Sequence, residues 1–188
     1  GEAVEAYYFS TSAGVTSTDE IWGSDEAAPY LRSVPCKFDE EEPWSSWIVE
    51  LPWKMLEDRI REKGKGTVLR SVTVTRRSES GAATALEAVS DKDSCIIENE
   101  YEIRKFLAPV NCMITEKDGT ETAGGSLLPS AYFELERTQN GNLQVRGKGY
   151  GHGVGMSQTG ADKMAEQGYD YREILDYFFR NITVENLG

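Results

Sequence analysis

Three features of this sequence predict an α+β fold: short runs in which apolar and polar residues alternate, four segments with helical spacing, and no regular strand–helix–strand rhythm. Together they imply a mixed, mostly antiparallel sheet with hairpins and two C-terminal helices in a single structural unit. Residues Val4–Thr11 read as a short apolar strand, followed by a loop over Ser12–Thr18 rich in Ser, Thr and Gly. Ile21-Trp22-Gly23 and Pro29-Tyr30-Leu31 set apolar anchors into an irregular acidic stretch, and the run Asp39-Glu40-Glu41-Glu42 reads as a solvated loop. Ser46–Leu51 alternates as a strand. Pro52 suits a first helical position, and Trp53, Leu56 and Ile60 share a helical face that ends before Gly64 and Gly66. Val68, Val72 and Val74 begin a strand, which Gly81 turns into Ala83–Val89. Ile103, Phe106 and Leu107 mark a helix over Glu100–Leu107, stopped by Pro109. The clearest hairpin joins Tyr132–Glu136 to Leu143–Arg146 through Asn140-Gly141-Asn142. Helices over about 158–167 and 171–180 close the chain, the first with Ala161, Met164 and Ala165 inward, the second with Ile174, Leu175 and Phe178.

Composition bounds the function. The 188 residues carry 20 basic and 32 acidic side chains, a formal charge of −12, which repels nucleic-acid phosphates and disfavours anionic membranes. A neutral sugar polymer is compatible with that charge but not selected by it. A hydrophobic fraction of 39% supports a core. No stretch approaches the roughly 18 apolar residues of a membrane span, and no signal peptide is read at the start. Cys36, Cys95 and Cys112 are widely spaced with no CxxC pair, so a structural zinc site is not expected. Three separate, part-buried thiols are the simpler reading, and one disulfide with one free thiol the alternative in an exported protein. No metal or cofactor is implied.

One segment differs from the rest. From Gly147 to Gly155, five glycines alternate with other residues over nine positions, and the chain's single histidine, His152, sits among them. Each glycine costs roughly 0.5–1 kcal/mol in a regular element, so such a run points to close backbone approach or unusual torsions. Ser157 is placed to cap the following helix. A plain glycine-rich turn with a packed imidazole fits these residues as well. A phosphate loop does not, because the Lys-Ser/Thr ending is absent, and no cysteine has the neighbours of an activated thiol.

The stretch Gly149-Tyr150-Gly151-His152-Gly153-Val154-Gly155-Met156-Ser157-Gln158-Thr159-Gly160-Ala161, continuing through Met164–Tyr169 to Tyr177-Phe178, resembles the C-terminal signature of the stage II sporulation protein D/amidase-enhancer (SpoIID/LytB) family. A second match near the start carries Tyr8–Thr16, Trp22-Gly23 and Pro29–Val34, with Ala13 where the family usually has glycine. Ser80-Gly81 and Phe106-Leu107 fit a looser central pattern. The resemblance covers nearly the whole chain, residues 1–188 standing as a partial SpoIID/LytB-like domain without its N-terminal catalytic segment.

The resemblance implies a peptidoglycan-acting domain of the lytic-transglycosylase kind, which cuts MurNAc–GlcNAc strands to 1,6-anhydro products. One carboxyl group suffices for that chemistry, since it first protonates the leaving oxygen and then removes the proton of the C6 hydroxyl. In the family this acid is a Glu upstream of the first motif, and these residues hold no counterpart. Glu2 and Glu5 match no catalytic motif, and Asp19 and Glu20 are the only substitute acids close to the first motif. No catalytic residue is therefore assigned with certainty, His152, Ser157 and Gln158 standing in supporting roles. By resemblance the substrate groove comprises Ser10, Ser12, Thr16, Trp22, Gly149, Tyr150, Gly151, His152, Gly153 and Gly155, with Trp22 and Tyr150 as stacking faces. The implied partners are peptidoglycan glycan strands, the N-terminal segment of the same domain and a cell-wall amidase; nucleic acid is not among them. The implied location is extracytoplasmic, at the cell wall or on a membrane through a segment outside this sequence. The alternative is a non-catalytic peptidoglycan-binding or amidase-enhancing module.

Overall fold

The computed structural model describes residues 3–185, and Glu2 lies outside them. Strands β1 (Tyr8–Phe9), β2 (Trp47–Leu51), β3 (Leu69–Arg77), β4 (Ala83–Ser90), β5 (Ser94–Glu98), β6 (Met113–Glu116), β7 (Glu121–Ala123), β8 (Phe133–Arg137), β9 (Leu143–Gly147) and β10 (Met156–Ser157) are interspersed with helices α1 (Trp53–Glu62), α2 (Glu100–Phe106), α3 (Gln158–Glu166) and α4 (Tyr171–Phe178). The fold is α+β, as expected. An antiparallel sheet in the order β7-β6-β2-β9-β8 packs with the meander β3-β4-β5, and the two-stranded pair β1-β10 stands apart.

Alternation drives the larger sheet. Trp47, Val49 and Leu51 are buried while Ile48 and Glu50 face out, and the inward row meets Val145 and Leu143 across the β2–β9 pairing. Leu56 and Ile60 of α1 and Ile103 of α2 close over this row, forming one apolar cluster with Leu86, Leu107 and Leu128. A second cluster gathers Ile21, Leu31, Val34 and Cys36 around Met164 of α3 and Phe178 of α4. Tyr132 belongs to the second cluster and its neighbour Phe133 to the first, so the start of β8 joins the two.

Some boundaries moved. The expected strand over Val4–Thr11 shrinks to Tyr8–Phe9, because the backbone beyond it turns to bridge the glycine-rich loop instead of a sheet. Strands β5, β6 and β7 were not anticipated; β5 and β6 blur the alternation by exposing Ile96 and Met113, β6 buries Glu116, and β7 is only three residues long. Ala165 is exposed rather than inward, since α3 skirts the second cluster and buries only Gly160 and Met164. Ser157 caps α3 as expected, its Oγ accepting from the Gly160 N–H at 3.2 Å.

The acidic run contains the largest correction. Glu40 and Glu41 are exposed, but Asp39 is 1% exposed. Its carboxylate accepts from the Ser12 N–H and Ser12 Oγ at 2.8 Å each, and from Ser157 Oγ at 2.6 Å. Thr159 Oγ1 at 3.3 Å and the Cys36 thiol at 3.5 Å add longer contacts. Burial, and then the adjacent Asp39, push Cys36 up to about 12, so this thiol keeps the proton it donates. Asp39 thus ties the loop after β1 to the start of α3. Asp39→Ala would leave several buried donors without an acceptor, each costing about 1–3 kcal/mol. We expect a loss of about 2–4 kcal/mol by urea denaturation; an unchanged midpoint would contradict this role.

Candidate functional site

The two segments singled out in the sequence lie against each other. β1 pairs in parallel with β10, Tyr8 opposite Met156 and Phe9 opposite Ser157. The Thr11 and Tyr150 backbones exchange hydrogen bonds of 3.1 and 2.8 Å, and the Ser17 N–H donates to the Gly153 carbonyl at 2.6 Å. This interlock explains the glycines. A Cβ at Gly155, where φ is 80°, would collide with the Tyr7 carbonyl oxygen, and one at Gly151 would stand 2.7 Å from Phe9 Cβ. The bulky neighbour that the loop accommodates is the chain's own first motif.

The anticipated site residues divide by exposure. Ser12, Thr16, Ser157, Gly149, Gly153 and Gly155 are buried. The hydroxyls among them are used internally: Ser12 and Ser157 hold Asp39, and Thr16 Oγ1 accepts from the Val34 N–H at 3.0 Å. These residues build the site from behind. Tyr150 and Gln158 are exposed, and Ser10, Trp22, Gly151 and His152 are half-buried. They form its surface.

His152 occupies an aromatic corner. Its ring meets Trp22 edge-on at 5.1 Å and Phe9 at 5.8 Å, while Tyr7 meets the other side of the group at Trp22, 5.0 Å away. The Val154 N–H donates to Nδ1 at 3.1 Å, which leaves Nε2 to carry the proton of a neutral ring. Burial holds the imidazole below its usual pKa, and Arg104 acts in the same direction, against Glu100 and the Tyr8 backbone. The Glu100–Arg104 pair is itself buried on α2. Arg104 Nε donates to the Leu128 carbonyl at 2.8 Å and Nη2 to that of Pro129 at 3.2 Å; Pro129 O also receives the Gly151 N–H at 2.8 Å. A buried ion pair thereby anchors the loop beside His152.

Clefts open on both sides of this corner. One of about 400 Å³ is lined by Tyr150, Trp44 and Arg104, with the Tyr150 and Trp44 rings 4.7 Å apart. Another of about 450 Å³ is lined by Trp22, Glu20, Arg76 and Glu98. Trp47 is core, its Nε1–H donating to the Gly149 carbonyl at 2.9 Å, and Trp53 donates to the Leu69 carbonyl at 3.0 Å. Asp19 is committed to the Ala28 N–H at 3.0 Å, and the Glu20 carboxylate accepts from Thr18 Oγ1 at 2.9 Å. Cys36, Cys95 and Cys112 are free thiols. Among the described residues no group of three His, Cys, Asp or Glu could hold a metal ion, and no helix is long and apolar enough to cross a membrane.

The sequence reading missed Asp39, Glu100, Arg104 and the hydroxyl cluster of Ser17, Ser80 and Tyr132. In that cluster Ser17 Oγ lies 2.6 Å from Ser80 Oγ and 2.7 Å from the Tyr132 hydroxyl. Only Ser80 carried a signal, through the looser central pattern.

The chain is 29% identical over 181 residues to stage II sporulation protein D of Bacillus amyloliquefaciens, covering 96% of this chain and 45% of that protein. An uncharacterized protein of Brachyspira hyodysenteriae is 28% identical over 187 residues, covering 98% of this chain and 44% of the relative. The amidase enhancer of Bacillus subtilis is 23% identical over 218 residues, covering 98% of this chain and 30% of its own length. The chain therefore spans less than half the length of these curated relatives. Its likeness to SpoIID/LytB-like proteins is modest in identity but extends over most of the chain. A family model described as a domain of unknown function (DUF8618) matches residues 31–155, ending at the last glycine of the alternating run, and the chain belongs to that family.

Proposed function

We propose that this chain is a peptidoglycan-binding module, the C-terminal portion of a SpoIID/LytB-like domain, acting outside the cytoplasm at the cell wall. The observation that carries this reading is the half-exposed corner of Tyr150, Gly151 and His152, flanked by Trp22 and by clefts on both sides. Exposed rings beside shallow polar clefts suit pyranose faces, which are apolar on the flat and polar at the rim. Gln158 and Ser10 supply hydrogen-bonding groups at its border. The names of the relatives, sporulation protein and amidase enhancer, support the cell-wall setting.

Binding is favoured over cleavage because carboxyls near the corner are engaged. Asp39 holds the motif hydroxyls, Asp19 a turn N–H, and Glu100 is paired with Arg104. The lytic-transglycosylase chemistry implied by the resemblance would draw its acid from a segment beyond these residues, docking against this corner. A second reading, in which the chain stimulates a cell-wall amidase, is favoured by the similarity to the amidase enhancer over 98% of the chain.

The chain should co-sediment with purified sacculi, and Trp22→Ala combined with Tyr150→Ala should weaken retention roughly tenfold, the loss of two stacking contacts. Equal retention of this variant, with an unchanged thermal midpoint, would contradict the assigned surface. Mass spectrometry of treated sacculi should show no 1,6-anhydro product from the chain alone; its appearance would overturn the binding reading in favour of an enzyme.

The lowered His152 pKa has a sign that can be checked. The folded state holds the ring neutral while the unfolded chain protonates near the ordinary value of about 6.5. Unfolding is therefore favoured as pH falls through that value, and this contribution to stability is fully present only above it. Retention on sacculi and folding stability should both fall on acidification below about 6.5, and His152→Gln should lose that component of the pH dependence. An NMR titration placing His152 at or above the free imidazole value would refute the assignment.

A further inference from the structure

A second feature of the surface is not absorbed by the aromatic corner. A cleft of about 270 Å³ beside Ser12 and Asp39 shares Ala13 and Lys148 with one of about 260 Å³ beside Ser80 and Tyr132. That cleft shares Val15 and Ser80 with a third, of about 660 Å³, beside Thr18 and Arg32. The third in turn shares Glu20 and Glu79 with the cleft that Trp22 lines. The four join into a trough running along residues 12–22, the first motif, and ending at the aromatic corner.

Its middle is basic in a chain whose net charge is −12. Arg77, Arg146 and Lys148 line it with a single acid, Glu134. Arg146, on β9, and Lys148, just beyond it, are two residues apart and both face solvent. Lys148 makes no ion pair among the described residues. Arg146 pairs with Glu136 at 3.3 Å, both side chains well exposed, an interaction worth little in water, and faces Glu134 across the β8–β9 pairing. Arg77 is held in place by main-chain oxygens: Nη1 donates to Gly81 O at 3.1 Å and Nη2 to Phe133 O at 2.8 Å. Its remaining partner, Glu134, is 81% exposed at the side chain. The guanidinium is thus preorganised and only partly neutralised. Ser80 and Tyr132, joined by hydrogen bonds to the buried Ser17, line the same cleft.

We propose that this basic stretch is a carboxylate subsite, which takes an acidic substituent of a glycan strand lying in the trough; the proposal rests on the glycan-binding reading. An acidic chain repels a polymer bearing carboxylates unless a local cluster of cations receives them. A guanidinium pinned by carbonyls next to an unpaired ammonium is suited to that purpose. In peptidoglycan two sources offer the group: the carboxylates of peptide stems, and the lactyl carboxylate that an amidase exposes when it removes a stem.

The test compares three ligands of similar length: strands bearing peptide stems, amidase-treated strands, and neutral chitooligosaccharides. Wild-type chain should bind at least one carboxylate-bearing strand roughly tenfold more tightly than the neutral oligomer, with the difference lost in high salt. Arg146→Ala combined with Lys148→Ala, both surface residues whose removal spares the core, should erase that difference and leave chitooligosaccharide binding unchanged. Which acidic strand prevails identifies the source. Equal binding of all three ligands, or an undiminished preference in the double variant, overturns the subsite while leaving the glycan-binding reading intact. Failure to bind any of the three overturns both.

Discussion

The architecture depends on one buried carboxylate that no opposite charge neutralises. Asp39 receives the Ser12 N–H and the hydroxyls of Ser12 and Ser157, and through them it fastens two segments from opposite ends of the chain. Neutral donors suffice because several converge, each charge-assisted bond being stronger than a neutral one. Ser157 also accepts the Gly160 N–H, so the same contact sets where α3 begins. The glycine-rich loop, trapped between the first motif and α3, inherits its shape from this junction. With the loop in place, Tyr150, Gly151 and His152 become the part of it that meets solvent.

The two apolar clusters divide the labour. The sheet cluster around Trp47 and Leu86 is scaffold, and it reaches the site through the Trp47 Nε1–H on the Gly149 carbonyl and through Trp44, whose ring meets Tyr150. The second cluster, with Phe178 and Met164, seats the motif segments and the terminal helices. Tyr132 stands between the two with its hydroxyl on Ser17 and Ser80. Burial raises the pKa of this phenol, which keeps it a hydrogen-bond donor. Polar contacts at the seam are thus satisfied without water, a requirement wherever two cores meet.

Much of this was legible in the residues. Alternation in Trp47–Leu51 and the Asn140-Gly141 turn reported the strands that carry the main sheet, because side-chain period and turn chemistry are local properties. The glycine run reported close approach correctly, but a glycine cannot say what approaches; here it was Tyr7–Ala13 at Gly149, Gly151 and Gly155, Trp47 at Gly147 and Tyr132 at Gly153. Asp39 was hidden because it begins a run of four acids, three of which behave as acids usually do. Glu100 and Arg104 were hidden for a related reason. A Glu and an Arg one helical turn apart look like a surface pair, and only the carbonyls of Leu128 and Pro129, remote in sequence, make burial tolerable. The basic trough was invisible because Arg77 and Lys148 meet only in the tertiary structure.

The parallel pairing of β1 with β10 also orders events in time. The Ser157 hydroxyl and the Ser10 carbonyl it meets are 147 residues apart, so this junction cannot close until Ser157 has left the ribosome. Closing so large a loop adds an entropic barrier that local hairpins do not face. The sheet of β3, β4 and β5 has no such constraint and can nucleate early from neighbouring turns. The Tyr150–His152 surface therefore forms later than the β3–β4–β5 meander, and a chain truncated before β10 would lack the pairing that seats it.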